Sequence, residues 1–152
     1  MATFADIPIR IEQPDAEPQQ FGHAVPILNE IRHALARLAE QGETTRIDLG
    51  AMPFGPGDEA RLMALLGQGE VAAQVDALGP TRIWETRFAG VWVLDYANVD
   101  GERIALQIEV DEVPQMLRAP RADMTDSLAA LDAALVSAAA DPAADPAAKS
   151  RH

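Results

Sequence analysis

Apolar residues recur at helical spacing in the first third of the chain. Between residues 25 and 41 they are separated by four, four and three positions, which is the period of one apolar stripe on an α-helix: Ile27, Ile31, Leu35 and Leu38. Gly42 follows directly and is typical of the left-handed residue that ends a helix. The pattern therefore predicts an amphipathic helix over residues 25–41.

Two further helices are predicted downstream. Asp58 suits the N-cap of a short helix through about Leu66. A short helical turn is expected to end at about Arg118, because Pro120 interrupts the helix shortly afterwards. Thr125 then caps a long helix to about Ala140, which carries these apolar residues on one side: Leu128, Leu131, Leu135 and Val136.

The apolar period changes to two between the second and third helices, as in half-buried strands. Asp100 and Gly101 form a hairpin signal within this region. The alternation predicts strands at about residues 71–75, 81–88, 91–96 and 104–110, with a separate short strand at 46–49. The expected fold class is α+β, an antiparallel three- to four-stranded meander with one apolar face covered by helices, plus a C-terminal helix.

The two ends of the chain lack these periods. The first segment is acidic and rich in proline, which is typical of a flexible arm. The alternation of Ile7, Ile9 and Ile11 is also compatible with a short edge strand there. The last segment repeats Asp-Pro-Ala-Ala. The predicted organisation is a flexible arm over 1–22, an α+β domain over 23–118, a C-terminal helix over 119–140 and a disordered tail over 141–152.

The charge balance narrows the class of partner. The chain carries 24 acidic and 12 basic residues, so its formal net charge is -12. Such a field repels phosphate groups, which argues against nucleic acid and anionic membranes and favours a basic protein segment. No apolar run reaches the ~18 residues of a membrane span, and the N-terminus lacks the pattern of a secretory signal. We therefore expect a cytoplasmic protein without membrane insertion.

Patterns that carry catalysis or bind metals are weak. The chain has no cysteine, which excludes thiolate chemistry and thiolate metal sites. His23 and His33 do not have the HxxxH spacing of a metal pair. The acidic pairs Asp58-Glu59 and Asp111-Glu112 stand where helices are expected to begin, and carboxylates are favourable at that end of the helix dipole. We predict no catalytic residue, no metal site and no cofactor.

A set of short motifs carries a family resemblance. Leu65–Val71 reads LLGQGEV, Ile83–Thr86 reads IWET, and Gly90–Val93 reads GVWV, with Ile47–Leu49 and Met52-Pro53 upstream. In this order and spacing they resemble the C-terminal conserved region of the HupH/HyaF hydrogenase-expression proteins. The resemblance covers roughly residues 25–118.

The resemblance implies a non-catalytic accessory factor for maturation of an uptake nickel–iron hydrogenase. The hypothetical client is the precursor of the small subunit, held by the acidic surface or by an open edge of the sheet. The motif residues are the candidate partner-binding set: Gly67, Gly69, Glu70, Trp84, Glu85, Thr86 and Trp92. Trp84 and Trp92 fit either core packing or an exposed recognition patch.

Two other functions stay open at this level. One is a small enzyme or metal-handling factor of the same pathway. The other is a self-assembling structural protein, because the apolar stripe predicted over residues 125–140 could pair as a homodimer across a two-fold axis.

Overall fold

A computed structural model describes residues 22–141. Residues 1–21 and 142–152 lie outside the described residues. They contain the predicted arm with its isoleucine alternation and the predicted tail, apart from Gly22 and Asp141. The described chain divides into two units between Glu112 and Val113. The first unit contains two helices and all the strands, and the second contains the C-terminal helix.

The first helix, α1, spans Ala24–Gln41 and confirms the predicted amphipathic helix. Ile27 and Ile31 of its stripe are buried, and Leu35 and Leu38 are partly buried against the same core. Gly42 ends the helix with a φ of 70°, and its N–H donates to Leu38 O. The predicted left-handed stop is therefore confirmed.

The second helix, α2, spans Asp58–Leu66, but its N-cap is Gly57 and not Asp58. Asp58 is the first helical residue, and its carboxylate accepts a hydrogen bond from the backbone N–H of Gly55 at 3.1 Å. The carboxylate thus stabilises the preceding loop, because the chain folds back over it, rather than the N–H groups of the first helical turn. Leu62 and Leu66 are both fully buried.

All strands among residues 22–141 form one antiparallel sheet, which confirms the predicted meander and adds a fifth strand to it. Strand β1 pairs with the last strand, β5, so that β1 and β2 are the two edges of the order β1-β5-β4-β3-β2. A four-residue run indicates a strand from its composition but contains nothing that specifies its partner. The strands are β1 Thr45–Asp48, β2 Ala72–Asp76, β3 Pro80–Glu85, β4 Val91–Ala97 and β5 Arg103–Val110.

Helices α1 and α2 contribute to a hydrophobic core on one face of the sheet, as predicted. That core includes Val91 and Val93 of β4 together with Ile108 of β5. The prediction of a single apolar face was wrong, because Trp92 and Leu94 on the opposite face of β4 are also buried. Five consecutive residues of β4 are buried, as in a strand enclosed on both sides.

The second unit contains a 3₁₀ turn at Gln115–Leu117 and the helix α3, Arg121–Ala140. The helix begins four residues before Thr125, because Pro120 is its N-cap: the backbone there is extended, and the C=O of Pro120 accepts a hydrogen bond from the N–H of Met124 at 3.2 Å. The Thr125 hydroxyl lies inside the helix and donates to Arg121 O at 3.2 Å, so the predicted cap at Thr125 was wrong. Every residue of α3 is exposed. Within residues 22–141, no helix has the combination of length and apolarity that spanning a bilayer requires.

Candidate partner-binding site

The three motif segments meet at one end of the sheet. The N–H of Gly69 donates to Glu85 O at 2.7 Å, and the N–H of Glu85 donates to Val71 O at 2.9 Å. On the other side of β3, the N–H of Thr86 donates to Val91 O at 2.9 Å. The loop after α2, the end of β3 and the start of β4 are therefore joined by backbone hydrogen bonds.

The two motif glycines allow this close approach. Gly67 ends α2 with a φ of 64°, a conformation that other residues rarely adopt. Gly69 lies against the neighbouring strand, where an added Cβ atom would be 2.6 Å from the carbonyl oxygen of Thr86. Both glycines therefore have a structural reason to be present that does not depend on a partner.

The remaining predicted site residues divide by burial. Thr86 and Trp92 are 1% and 5% exposed. The Thr86 hydroxyl contacts both the N–H and the C=O of Phe88, and the indole N–H of Trp92 donates to Asp111 O at 3.1 Å. The Thr86 contacts stabilise the β3–β4 turn, and the Trp92 contact joins β4 to the residue that follows β5, so both side chains help to hold the fold.

Glu70 is exposed, whereas Trp84 and Glu85 are partly buried. Trp84 packs against the hydrophobic core and also lines a surface cleft. The structure therefore brings Trp84 and Glu70 to the surface beside β2, whereas Trp92 packs inside.

Strand β2 is an open edge of the sheet. The hydrogen bond from Glu85 to Val71 O and the register of β2 with β3 mean that Ala73 and Val75 bond to β3. In an antiparallel pair the alternate residues point their N–H and C=O groups the other way. The backbone polar groups of Ala72, Gln74 and Asp76 therefore point outward, and among residues 22–141 no strand pairs with that side.

The edge groove is the pair of adjoining clefts that runs beside β2 on the helix-covered face of the sheet. The clefts have volumes of about 440 Å³ and 280 Å³, and Gln74 and Arg82 line both. Trp84 lies at the end near the motif residues, and Asp95 and Arg103 lie at the other end. The groove thus offers an apolar surface and a charged surface along one exposed strand.

An ion-pair cluster forms the charged end of the groove. Asp95 is 4% exposed and accepts hydrogen bonds from Arg82 at 2.7 Å and from Arg103 at 2.8 Å. Arg103 also donates to Glu59 on α2 at 2.6 Å, which ties that helix to the sheet. Burial alone would raise the pKa of Asp95, but the hydrogen bonds from Arg103 and Arg82 outweigh burial and lower the pKa. Asp95 is therefore held as a charged structural group and is poorly suited to exchange protons near neutral pH.

The residues of this cluster were missed in the sequence, although one signal was present. Asp95 interrupts the apolar run Val91–Leu94 at a position that shares a face with Val91 and Val93. A carboxylate at a buried strand position requires a cationic partner. The turn at Gly90 sets the register that places Arg82 opposite Asp95, so the first ion pair could have been derived from the hairpin.

Replacing Asp95 by Asn should reduce the free energy of unfolding by about 1–2 kcal/mol at neutral pH. The charge-assisted hydrogen bonds are lost, but Arg82 and Arg103 are partly exposed and regain water. Because the pKa of Asp95 is lower in the folded than in the unfolded chain, its contribution is complete above the ordinary value of 3.8. The contribution disappears as the pH falls through the lowered pKa of the folded chain.

Urea unfolding of both chains at a series of pH values checks this expectation. The difference between wild type and Asp95→Asn should be largest above the ordinary pKa and should narrow in acid. A difference that stays constant into strong acid would contradict the role of the Asp95 charge.

Metal-ligating side chains do not converge in the described part of the chain. Among residues 22–141, no group of three or more His, Asp or Glu side chains is arranged to hold a metal ion. His33 is exposed on α1, and His23 precedes that helix.

The chain matches one protein family over most of its length. Residues 22–138 match the family described as HupH hydrogenase expression protein, C-terminal conserved region. The match extends past residue 118, where the sequence resemblance was expected to end, and includes most of α3.

Curated relatives and a solved structure agree with this match. Hydrogenase expression/formation protein HoxQ of Azotobacter vinelandii is 33% identical over 116 residues, which are 75% of this chain and 41% of that protein. HupH of Rhizobium leguminosarum bv. viciae is 29% identical over 109 residues, or 72% of this chain and 39% of that protein. The chain thus spans about two fifths of the length of these relatives. The structure of hydrogenase expression protein HupH from Thiobacillus denitrificans superposes with a TM-score of 0.72 at 40% identity, covering 76% of this chain and 97% of that one.

Proposed function

Because this chain belongs to the family of hydrogenase expression proteins that share the HupH C-terminal conserved region, we propose that it is a non-catalytic accessory factor of hydrogenase maturation. Its client is the precursor of the small subunit of an uptake nickel–iron hydrogenase. The chain binds a segment of that precursor in extended form along β2. The open edge beside the edge groove is the observation that carries this proposal.

An added strand is the form of ligand that suits an open sheet edge. The outward N–H and C=O groups of Ala72, Gln74 and Asp76 would bond to the backbone of the client. Ala72 has a small side chain, which leaves room for a neighbouring strand. At the other edge of the sheet, β1 is only four residues long and carries Arg46 and Asp48, and short charged edges resist pairing.

The side chains around β2 indicate which client sequence would fit. An apolar client residue would contact Trp84 in the edge groove. Glu70 and Asp76 are exposed at the two ends of the strand, where they would attract basic client residues. The signal segment of a twin-arginine precursor begins with basic residues, and the net charge of -12 on this chain complements them. The client would be met in the cytoplasm before its export.

Replacing Gln74 by Pro should weaken binding of the precursor at least tenfold. Proline removes the outward N–H of residue 74 and is tolerated at sheet edges, so the pairing of β2 with β3 remains. Binding is measured by retention of purified small-subunit precursor, with and without its signal segment, on the immobilised chain at low salt.

The matched control is Gln74→Thr, which loses the same side-chain hydrogen bond to Asp76 but keeps the backbone N–H. This variant should weaken binding far less than Gln74→Pro. Equal weakening by both substitutions would reject backbone pairing as the mode of binding. If wild type retains neither form of the precursor at low salt, the small-subunit precursor is not the client.

A further inference from the structure

The helix α3 carries a regular apolar stripe that its own unit does not cover. Met124, Leu128, Leu131 and Leu135 follow at intervals of four, three and four residues. Their exposed fractions lie between 51% and 61%. Successive helical residues are rotated by about 100°, so these four side chains fall on one narrow face and Val136 falls outside it. Intervals of three and four are the spacing of helices that pack side by side.

The stripe is complementary to itself when two copies run in opposite directions. With a two-fold axis between Ala129 and Ala130, Met124 lies opposite Leu135 of the second copy, and Leu128 lies opposite Leu131. Each large side chain then meets another large apolar side chain. The neighbouring positions on one side of the stripe are Ser127 and Ala134, whose small side chains allow two helices to approach closely.

The charges of α3 favour the same arrangement. Arg121 is the one basic residue of the helix and stands in its first turn, where the helix dipole opposes a positive charge. In the antiparallel pair Arg121 lies beside Ala138 of the second copy, at the negative end of that helix. The last turn of α3 has no basic residue of its own, so its carbonyl groups suit this guanidinium. A parallel pair would instead bring two Arg121 side chains together.

We propose that α3 is a self-association surface and that a second copy of this chain covers the stripe in an antiparallel helix pair. A contact made by two 20-residue helices is at the small end of stable interfaces, so the dissociation constant should be on the order of micromolar. The net charge of each copy opposes association at long range, so added salt should strengthen the dimer.

Sedimentation of the full chain tests the surface. Over a range of about 1 to 200 µM, which brackets that dissociation constant, wild type should move from the mass of one chain, 16.3 kDa, towards twice that mass. The double variant Leu128→Ser with Leu131→Ser should remain monomeric, whereas Val136→Ser, at a somewhat more exposed position outside the stripe, should dimerise like wild type. Tryptophan emission checks the fold of the first unit, which contains Trp84 and Trp92, and far-UV circular dichroism checks that α3 stays helical in each variant. A wild type that stays monomeric at high salt, or a stripe variant that still dimerises, would overturn the proposal.

Cross-linking tests the direction of the pair, and the chain has no cysteine to interfere. Chains carrying Met124→Cys and chains carrying Leu135→Cys should form a disulfide when mixed, because these positions face each other. In the antiparallel pair the two copies of residue 124 are about 16 Å apart along the helix, so the Met124→Cys chain alone should not cross-link. Cross-linking of Met124→Cys alone, without a mixed product, would overturn the antiparallel arrangement.

Discussion

Substituting Gly69 by Ala should lower the free energy of unfolding by about 3 kcal/mol, although it adds a single methyl group. The added Cβ atom would lie 2.6 Å from the carbonyl oxygen of Thr86 and 3.3 Å from that of Glu85. Both contacts are to backbone, which cannot rotate away as a flexible side chain can. The close contacts of the added Cβ atom can therefore be relieved only if the loop after α2 separates from β3. That separation breaks the hydrogen bond from the N–H of Gly69 to the C=O of Glu85.

Urea unfolding followed by tryptophan fluorescence measures this effect, and Gly22→Ala is the matched control. An added Cβ atom at Gly22 would meet no atom of the described residues within 4 Å, so this substitution should change the free energy of unfolding by less than about 0.5 kcal/mol. If Gly69→Ala is as stable as the control but loses the client, the glycine belongs to the binding surface and not to the fold.

The substitution Leu62→Ala should be at least as damaging, with an expected loss of about 3–4 kcal/mol. Leu62 is fully buried and belongs to the core that α1, α2 and the sheet share. Its removal costs the burial of three carbon atoms and leaves a cavity beneath α2. Because α2 also carries Glu59, which bonds to Arg103, loosening of this helix would weaken the charged end of the edge groove.

The matched control is Leu78→Ala, the same chemical change at a side chain that is 89% exposed. We expect less than about 0.5 kcal/mol there. The midpoint of urea unfolding should fall for Leu62→Ala with little change in the slope, since both chains expose similar surface when they unfold. A loss below about 1 kcal/mol would show that α2 does not depend on this contact.

The helices and the meander could be predicted because their signals are local. The stripe of α1 and the glycine that ends it lie within twenty residues of one another, so periodicity and capping chemistry identify both. The N-cap of α3 was placed five residues late because Thr125 has the side chain of an N-cap, whereas the observed N-cap, Pro120, contributes no side-chain hydrogen bond. Local rules allow both starts and do not decide between them.

The candidate site was only partly predictable for a different reason. Four of the seven motif residues predicted to bind a partner have clear structural roles: Gly67, Gly69, Thr86 and Trp92. The edge groove depends on Gln74, Arg82 and Arg103, which stand on three separate strands and come together only through the register of the sheet. No short sequence pattern encodes such a set. A carboxylate in an apolar strand, such as Asp95, does indicate that a cationic side chain lies nearby.

The pairing of the first strand with the last has a consequence for how the molecule folds. Strands β2 to β5 follow one another through short turns, so their hairpins can form one after another from neighbouring residues. Strand β1 must instead find β5, and Thr45 pairs with Val110 across the whole of the meander. Closing so long a loop costs chain entropy before any contact rewards it. We therefore expect the meander to form early and β1 to dock late, although β1 precedes the meander in the chain.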